Sequence, residues 1–165
     1  KGVRTLINAV ADSGIRLKIV GAGAAEEEFR SIVKQRSLTN IEFLGFQDKR
    51  SVFELTMRSR FVVCPSEWYE NFPFSIIESF LFSKPVVGSR IGGIPELVIH
   101  GETGFLFEPG NVNDLRQKLL ELWNSENLIN EMGCAARKHV YDIVNFENHW
   151  SKLNSIINNI EVNVN

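Results

Sequence analysis

Two glutamates eight residues apart, Glu70 and Glu78, are the side chains of this sequence best placed to do chemistry. They lie in the run Glu67-Trp68-Tyr69-Glu70-Asn71-Phe72-Pro73-Phe74-Ser75-Ile76-Ile77-Glu78. Pro73 interrupts regular structure and biases its predecessor away from helix, so Glu70 belongs to a turn-prone loop. Glu78 belongs to the apolar helix that begins near Phe74. Carboxylates accept hydrogen bonds from hydroxyls, and a helix start offers unpaired N–H groups and the positive end of a dipole. The combination suits a ligand with sugar hydroxyls and a diphosphate. As an ordinary pair, the two would be solvated surface residues. Acid–base hydrolysis fits poorly. In one continuous helix the pair would be roughly 12 Å apart along the axis, too wide for two carboxylates acting on one bond. Pro73 argues against such a helix, and nothing sets one carboxylate opposite the other.

The elements around the pair alternate. Phe61-Val62-Val63-Cys64-Pro65 reads as a short strand ending on proline, which places both carboxylates near the C-terminal end of a strand, where open α/β sheets bind ligands. Upstream, Thr5–Ala11 reads as the end of a helix and Leu17–Val20 as a strand. Glu26–Arg36 follows as a helix with Phe29, Ile32 and Val33 on one face. Ile41–Leu44 is a strand closed by Gly45, and Arg50–Ser59 a helix. Downstream, Pro85-Val86-Val87 is a strand ending at Gly88, Ile94–Ile99 a short helix entered through Gly92-Gly93, and Gly104–Phe107 the last strand. From Val112 the pattern is helical, with Leu115, Leu119, Leu122 and Trp123 on one stripe and two further helices to about Ile160. Strands alternating with helices imply a parallel sheet wrapped on both faces. The asparagine-rich tail, Asn154–Asn165, is expected to fray.

Composition narrows the classes. The chain has 165 residues, enough for one domain with a proper core, with 44% hydrophobic and 23% charged residues and a formal net charge of -2. That balance gives no global basic field, which disfavours nucleic acid as the main partner. Apolar runs are too short and interrupted for a membrane span. No signal peptide is visible at the start. Cys64, in a strand expected to be buried, and Cys134, in a late helix, read as free thiols of a reducing compartment. His100, His139 and His149 are scattered without ligand spacing and read as surface or structural residues.

Taken together, Lys1-Gly2-Val3, Ile19-Val20-Gly21-Ala22-Gly23, Phe43-Leu44-Gly45, Pro65-Ser66-Glu67, the Glu70/Glu78 pair, Lys84-Pro85-Val86-Val87, Gly92-Gly93-Ile94-Pro95-Glu96 and Gly101-Glu102-Thr103-Gly104 resemble the C-terminal domain of a retaining GT-B glycosyltransferase of family 4. The resemblance covers essentially the whole chain. It implies a Rossmann-like three-layer α/β/α half that binds a nucleotide-sugar donor, with transfer to a glycan, lipid or other acceptor. In that reading Glu78 holds the ribose hydroxyls, Glu70 faces the transferred sugar, and the segment Asn71, Phe72, Pro73 and Phe74 lines the diphosphate and sugar. Gln47 joins the donor contacts. Lys1 meets the donor phosphates, and Lys1 and Glu70 form the catalytic pair. A positioned lysine and helix-terminal N–H groups would act on the charge of the leaving diphosphate, and no metal or cofactor is required where lysine and arginine neutralise it. The resemblance also implies an arginine and a strand upstream of Lys1, the strand lying beside Leu17–Val20, and a separate N-terminal domain that binds the acceptor. It further implies a cytoplasmic location, with the full-length protein associating peripherally with the membrane. Asn71 replaces the family's usual glycine, and Pro73 stands where a second glycine is common.

Other motifs weigh less. Gly21-Ala22-Gly23 after a strand has Glu26 in place of the third glycine of a dinucleotide fingerprint, so a tight turn is its expected role. Gly92-Gly93 suits either a structural turn or a ligand-facing loop. Of Trp68, Tyr69, Phe72 and Phe74, at least two are expected in the core, although such a cluster could stack on a ligand. Trp123 and Trp150 are expected in the core as well. The alternative to a transferase is a non-catalytic Rossmann-like module that binds a nucleotide or serves in assembly; Lys1, Glu70 and Glu78 together favour the transferase.

Overall fold

The computed structural model describes residues 1–145, 147, 150, 151 and 154. His149, the tail after residue 154 and most of the last expected helix lie outside the described residues. Strands and helices alternate as α1 (Val3–Val10), β1 (Leu17–Val20), α2 (Glu26–Gln35), β2 (Ile41–Gly45), α3 (Lys49–Arg58), β3 (Val62–Cys64), α4 (Phe74–Leu81), β4 (Val86–Ser89), α5 (Ile94–Leu97), β5 (Gly104–Phe107), α6 (Val112–Trp123) and α7 (Glu126–Val144). Every pairing is parallel. β1 pairs with β2, and β3, β4 and β5 form a second ladder in that order. Boundaries differ from the sequence reading by a residue or two. The short helix stops at Leu97 instead of Ile99, and β3 leaves out Phe61 and Pro65, the latter lacking the N–H a ladder requires.

Local chemistry starts the helices. Asp48 caps α3 by accepting the Ser51 N–H at 2.9 Å. Asn111 caps α6 by accepting from Asn113 and Asp114, both at 3.1 Å, and Ser125 caps α7 by accepting from Leu128 at 3.2 Å. These are the residue types that satisfy first-turn donors, each worth about 1 kcal/mol.

Alternation along β4 and β5 splits the core in two. Val87, Phe105 and Phe107 face one cluster with Leu6, Ala9 and Val10 of α1, Leu115, Leu119 and Leu122 of α6, and Ile129 and Met132 of α7. Val86 and Leu106 face the other, with Ile76, Ile77 and Phe80 of α4, Ile94, Leu97 and Val98, and Ala136 and Val140 of α7. The β1–β2 ladder reaches the first cluster through Leu17 and Ile41. The α2 stripe of Phe29, Ile32 and Val33 is half-buried.

Helix α7 therefore belongs to both faces. Where it crosses between them, Gly133 lies so near the Ser83 carbonyl that a Cβ would come within 2.3 Å of that oxygen. Trp123 packs partly buried against the first cluster, as expected. Trp150 does not join the core and is 51% exposed; the fully buried stripe of α7 ends at Val140, with Ile143 partly buried beyond it, before that position is reached.

Candidate functional site

The site is built on the loop from Pro65 to Pro73, between the C-terminal end of β3 and α4. Three anchors hold this loop. Ser89, at the end of β4, donates its hydroxyl to the Ser66 carbonyl at 2.6 Å. Gly93 donates its N–H to the Glu70 carbonyl at 2.7 Å. On the other side, Thr5 of α1 donates its hydroxyl to Glu67 at 2.5 Å. Gly2, in the left-handed region at φ 70°, sits under the loop where a Cβ would lie 1.7 Å from the Pro65 carbonyl oxygen. Only glycine fits there.

Within this frame Lys1 and Glu70 meet. The Lys1 ammonium lies 2.5 Å from Glu70 Oε1, and the carboxylate is largely enclosed, with 19% of its side chain exposed against 61% for Lys1. The same oxygen accepts the Ser66 hydroxyl at 2.7 Å and the Trp68 indole N–H at 3.0 Å. The Lys1 hydrogen bond, followed by that of Ser66, holds the Glu70 pKa down at about 2. Glu70 is therefore an anion throughout the neutral range, an acceptor of hydrogen bonds and not a proton donor. Beneath it, burial and then the Glu70 charge push the Cys64 thiol up, keeping it protonated.

Glu78 lies in the second turn of α4 and is half-buried. Its partner is Lys49, the first residue of α3, at 3.8 Å. The β2–α3 corner that supplies Lys49 also carries Gln47, which donates its amide to the Leu44 carbonyl at 2.7 Å. The fold thus gathers the sequence-derived residues into two neighbourhoods, Lys1 with Glu70 and Glu78 with the Gln47 corner. Asn71, Phe72, Pro73 and Phe74 form the stretch between them. Each carboxylate is engaged by a lysine. The first N–H groups of α4 lack intrahelical acceptors, as at any helix start.

The aromatic cluster is a correction. Trp68, Tyr69, Phe72 and Phe74 are all exposed, between 47% and 83%, where at least two were expected in the core. They sit on the loop and first turn at the strand ends, beyond the two core clusters. Phe72 and Phe74 pack edge-on against each other at 5.7 Å, and Lys1 lies 5.0 Å over the Trp68 ring.

Sequence reasoning missed Lys49. A signal existed, since α3 opens on Lys49 and Arg50 with no acidic residue in its first turn, against the dipole preference. The Gly92-Gly93 segment is a turn that packs against the Glu70 loop. His100 is structural, its Nδ1 accepting the Leu106 N–H at 3.0 Å. Both cysteines are free thiols, but Cys134 is exposed and Cys64 only partly buried. Among the described residues, no three His, Cys, Asp or Glu side chains gather as a metal-ligand cluster, and no helix is long and apolar enough to cross a membrane.

The family model described as Glycosyl transferases group 1 matches residues 1–139, and the chain belongs to that family. Over 133 residues it is 38% identical to the uncharacterized glycosyltransferase MJ1178 of Methanocaldococcus jannaschii, covering 81% of this chain and 38% of that protein. Over 144 residues it is 34% identical to N-acetyl-alpha-D-glucosaminyl L-malate synthase of Bacillus anthracis, covering 85% of this chain and 36% of the relative. The chain thus spans well under half the length of these curated relatives. The crystal structure of Anabaena HepE in complex with UDP and glucose superposes with a TM-score of 0.77 at 27% identity, covering 86% of this chain and 40% of that one. Sucrose-phosphate synthase from Thermosynechococcus elongatus shares the fold with a TM-score of 0.82 at 24% identity, covering 98% and 43% of the two chains. The architecture is the α/β Rossmann-like fold of GT-B glycosyltransferases.

Proposed function

We propose that this chain is the donor-binding half of a retaining GT-B glycosyltransferase of family 4. It holds a nucleotide-diphosphate sugar for transfer to an acceptor bound by another part of the full-length polypeptide. The observation that carries the reading is the Lys1–Glu70 pair at the C-terminal end of β3, immediately before the start of α4. A cation, a fixed carboxylate and free helix-start N–H groups there match the three parts of such a donor's reactive end. The relative HepE, which shares the fold, is seen in complex with UDP and glucose.

In this mechanism Glu78 accepts hydrogen bonds from the ribose hydroxyls and Glu70 from the transferred sugar. Lys1 moves from Glu70 onto the diphosphate, where it and the α4 N–H groups stabilise the charge that grows as the anomeric carbon–oxygen bond breaks. An arginine upstream of Lys1 shares that charge in the full-length protein, and no metal takes part. The reading places the full-length protein in the cytoplasm, at the membrane face.

Calorimetric titration of nucleoside diphosphates and nucleotide sugars tests it. Glu78→Ala should weaken both ligand classes by about ten-fold or more, the loss of a hydrogen bond to a charged group being worth about 1.5–3 kcal/mol. Glu70→Ala should weaken only the nucleotide sugar. Equal losses in both variants would contradict the division of roles.

A further inference from the structure

We propose that Trp68 is a positioning residue that ties the Glu70 carboxylate to the Lys1 ammonium through one indole ring. In its functional consequence the proposal rests on the donor-binding reading. Its geometric basis does not. The indole N–H donates to Glu70 Oε1 at 3.0 Å, while the face of the same ring lies 5.0 Å from Lys1 Nζ. Trp68 is 57% exposed, yet its one polar atom is directed at the site and not at solvent.

The chemistry of indole suits this place. It donates a single hydrogen bond and accepts none, so it competes neither for the Lys1 protons nor for a ligand's donors. Its face attracts a cation without taking a proton from it. Oε1 thus collects three donors, from Lys1, Ser66 and Trp68. Among the described residues, Oε2 receives no hydrogen bond. A glutamate's terminal torsion is broad and nearly two-fold, so donors gathered on one oxygen set the other free as the atom offered to a sugar hydroxyl. When Lys1 leaves for the diphosphate, Ser66 and Trp68 remain to hold Oε1, and the ring face remains to guide the ammonium back. The charged or titratable groups around Glu70 are Lys1 from the start of the chain and Cys64 at the end of β3; Trp68→Phe keeps both, along with the ring face under Lys1.

Two substitutions separate the roles. Trp68→Phe keeps an aromatic face and loses the N–H, whereas Trp68→Leu loses both. Carbon-13 NMR of the Glu70 carboxyl should show its titration midpoint moving up in Trp68→Phe. Calorimetry should show this variant binding a nucleotide sugar about ten-fold more weakly, the scale of one hydrogen bond to a charged group, with unchanged affinity for the nucleoside diphosphate. Trp68→Leu should weaken both ligands, because Lys1 is then unseated. A Glu70 titration in Trp68→Phe identical to wild type would overturn the proposal, as would wild-type affinity for the nucleotide sugar. A wild-type chain that binds neither ligand would overturn the donor reading instead, and the Glu70 titration would still decide the role of Trp68.

Discussion

Gly93 donates its N–H to the Glu70 carbonyl at 2.7 Å, and its bare Cα lies so near the next carbonyl that a Cβ would stand 2.0 Å from the Asn71 oxygen. One glycine both bonds to the loop that carries the site carboxylate and leaves it room. Gly92, at φ 57°, makes the turn that allows this approach, itself within 2.6 Å of the Glu70 carbonyl oxygen by the same measure.

Gly93→Ala should therefore impair the site. Gly93 has a φ of −79°, which any residue adopts, so backbone strain does not oppose the change and the reduced entropy of the unfolded chain would favour it. The clash with Asn71 outweighs this, overpacking of such contacts costing about 1–3 kcal/mol. Urea unfolding should show that loss, and calorimetry a weakened nucleotide sugar. Wild-type values in both would show that the loop does not need the glycine.

The pH dependence follows from Glu70. Its pKa is depressed in the folded chain to about 2 from an ordinary 4.5, chiefly by the Lys1 hydrogen bond. A depressed carboxylate contributes stability above its unfolded pKa and loses it as pH falls through the folded value. The stability difference between wild type and Glu70→Gln should then be full at pH 6 and shrink between about 4.5 and 2. Denaturant titrations at several pH values measure it; a difference that stays constant across that window would show Glu70 unpaired.

Lys49 should matter little to stability. Its pair with Glu78 is 3.8 Å long and the lysine is 76% exposed; such surface pairs are worth about 0–1 kcal/mol. Lys49→Ala should keep the urea midpoint nearly unchanged. A large loss would mean that the pair braces α3 against α4.

Gly133→Ala should destabilise the chain although it adds a better helix former. The propensity gain is about 1 kcal/mol, but the new Cβ would meet the Ser83 carbonyl oxygen at 2.3 Å. Ser83 already sits at φ 56° and has little freedom to retreat. A thermal melt should show a lower midpoint, whereas a rise would mean that α7 can shift outward without cost.

Much of this arrangement was legible in the chain. The β-branched runs at Leu17–Val20, Ile41–Leu44 and Val86–Val87 named strands, and the leucine stripe of α6 named a core face. Glu70 and Glu78 stood out because proline and an apolar run fixed one to a loop and the other to a helix. What stayed hidden depends on tertiary approach. Nothing local tells that Gly93 meets Asn71, that Gly133 meets Ser83, or that Lys49 faces Glu78. The aromatic residues misled because their area suggests burial, whereas their loop lies beyond both core clusters; Trp68 finds its role with a cation and a carboxylate instead.

Helix α7 carries a consequence for biosynthesis. Its first half, with Ile129 and Met132, completes one core, and Ala136 and Val140 complete the other. A nascent chain leaves the ribosome from its N-terminus, so both faces of the β3–β4–β5 ladder stay incomplete until residues near Val140 have emerged. The earlier helices can pack on the ladder and on each other before then, but the apolar surface that α7 covers on both faces stays unsheltered until that moment, which makes this a late-folding unit.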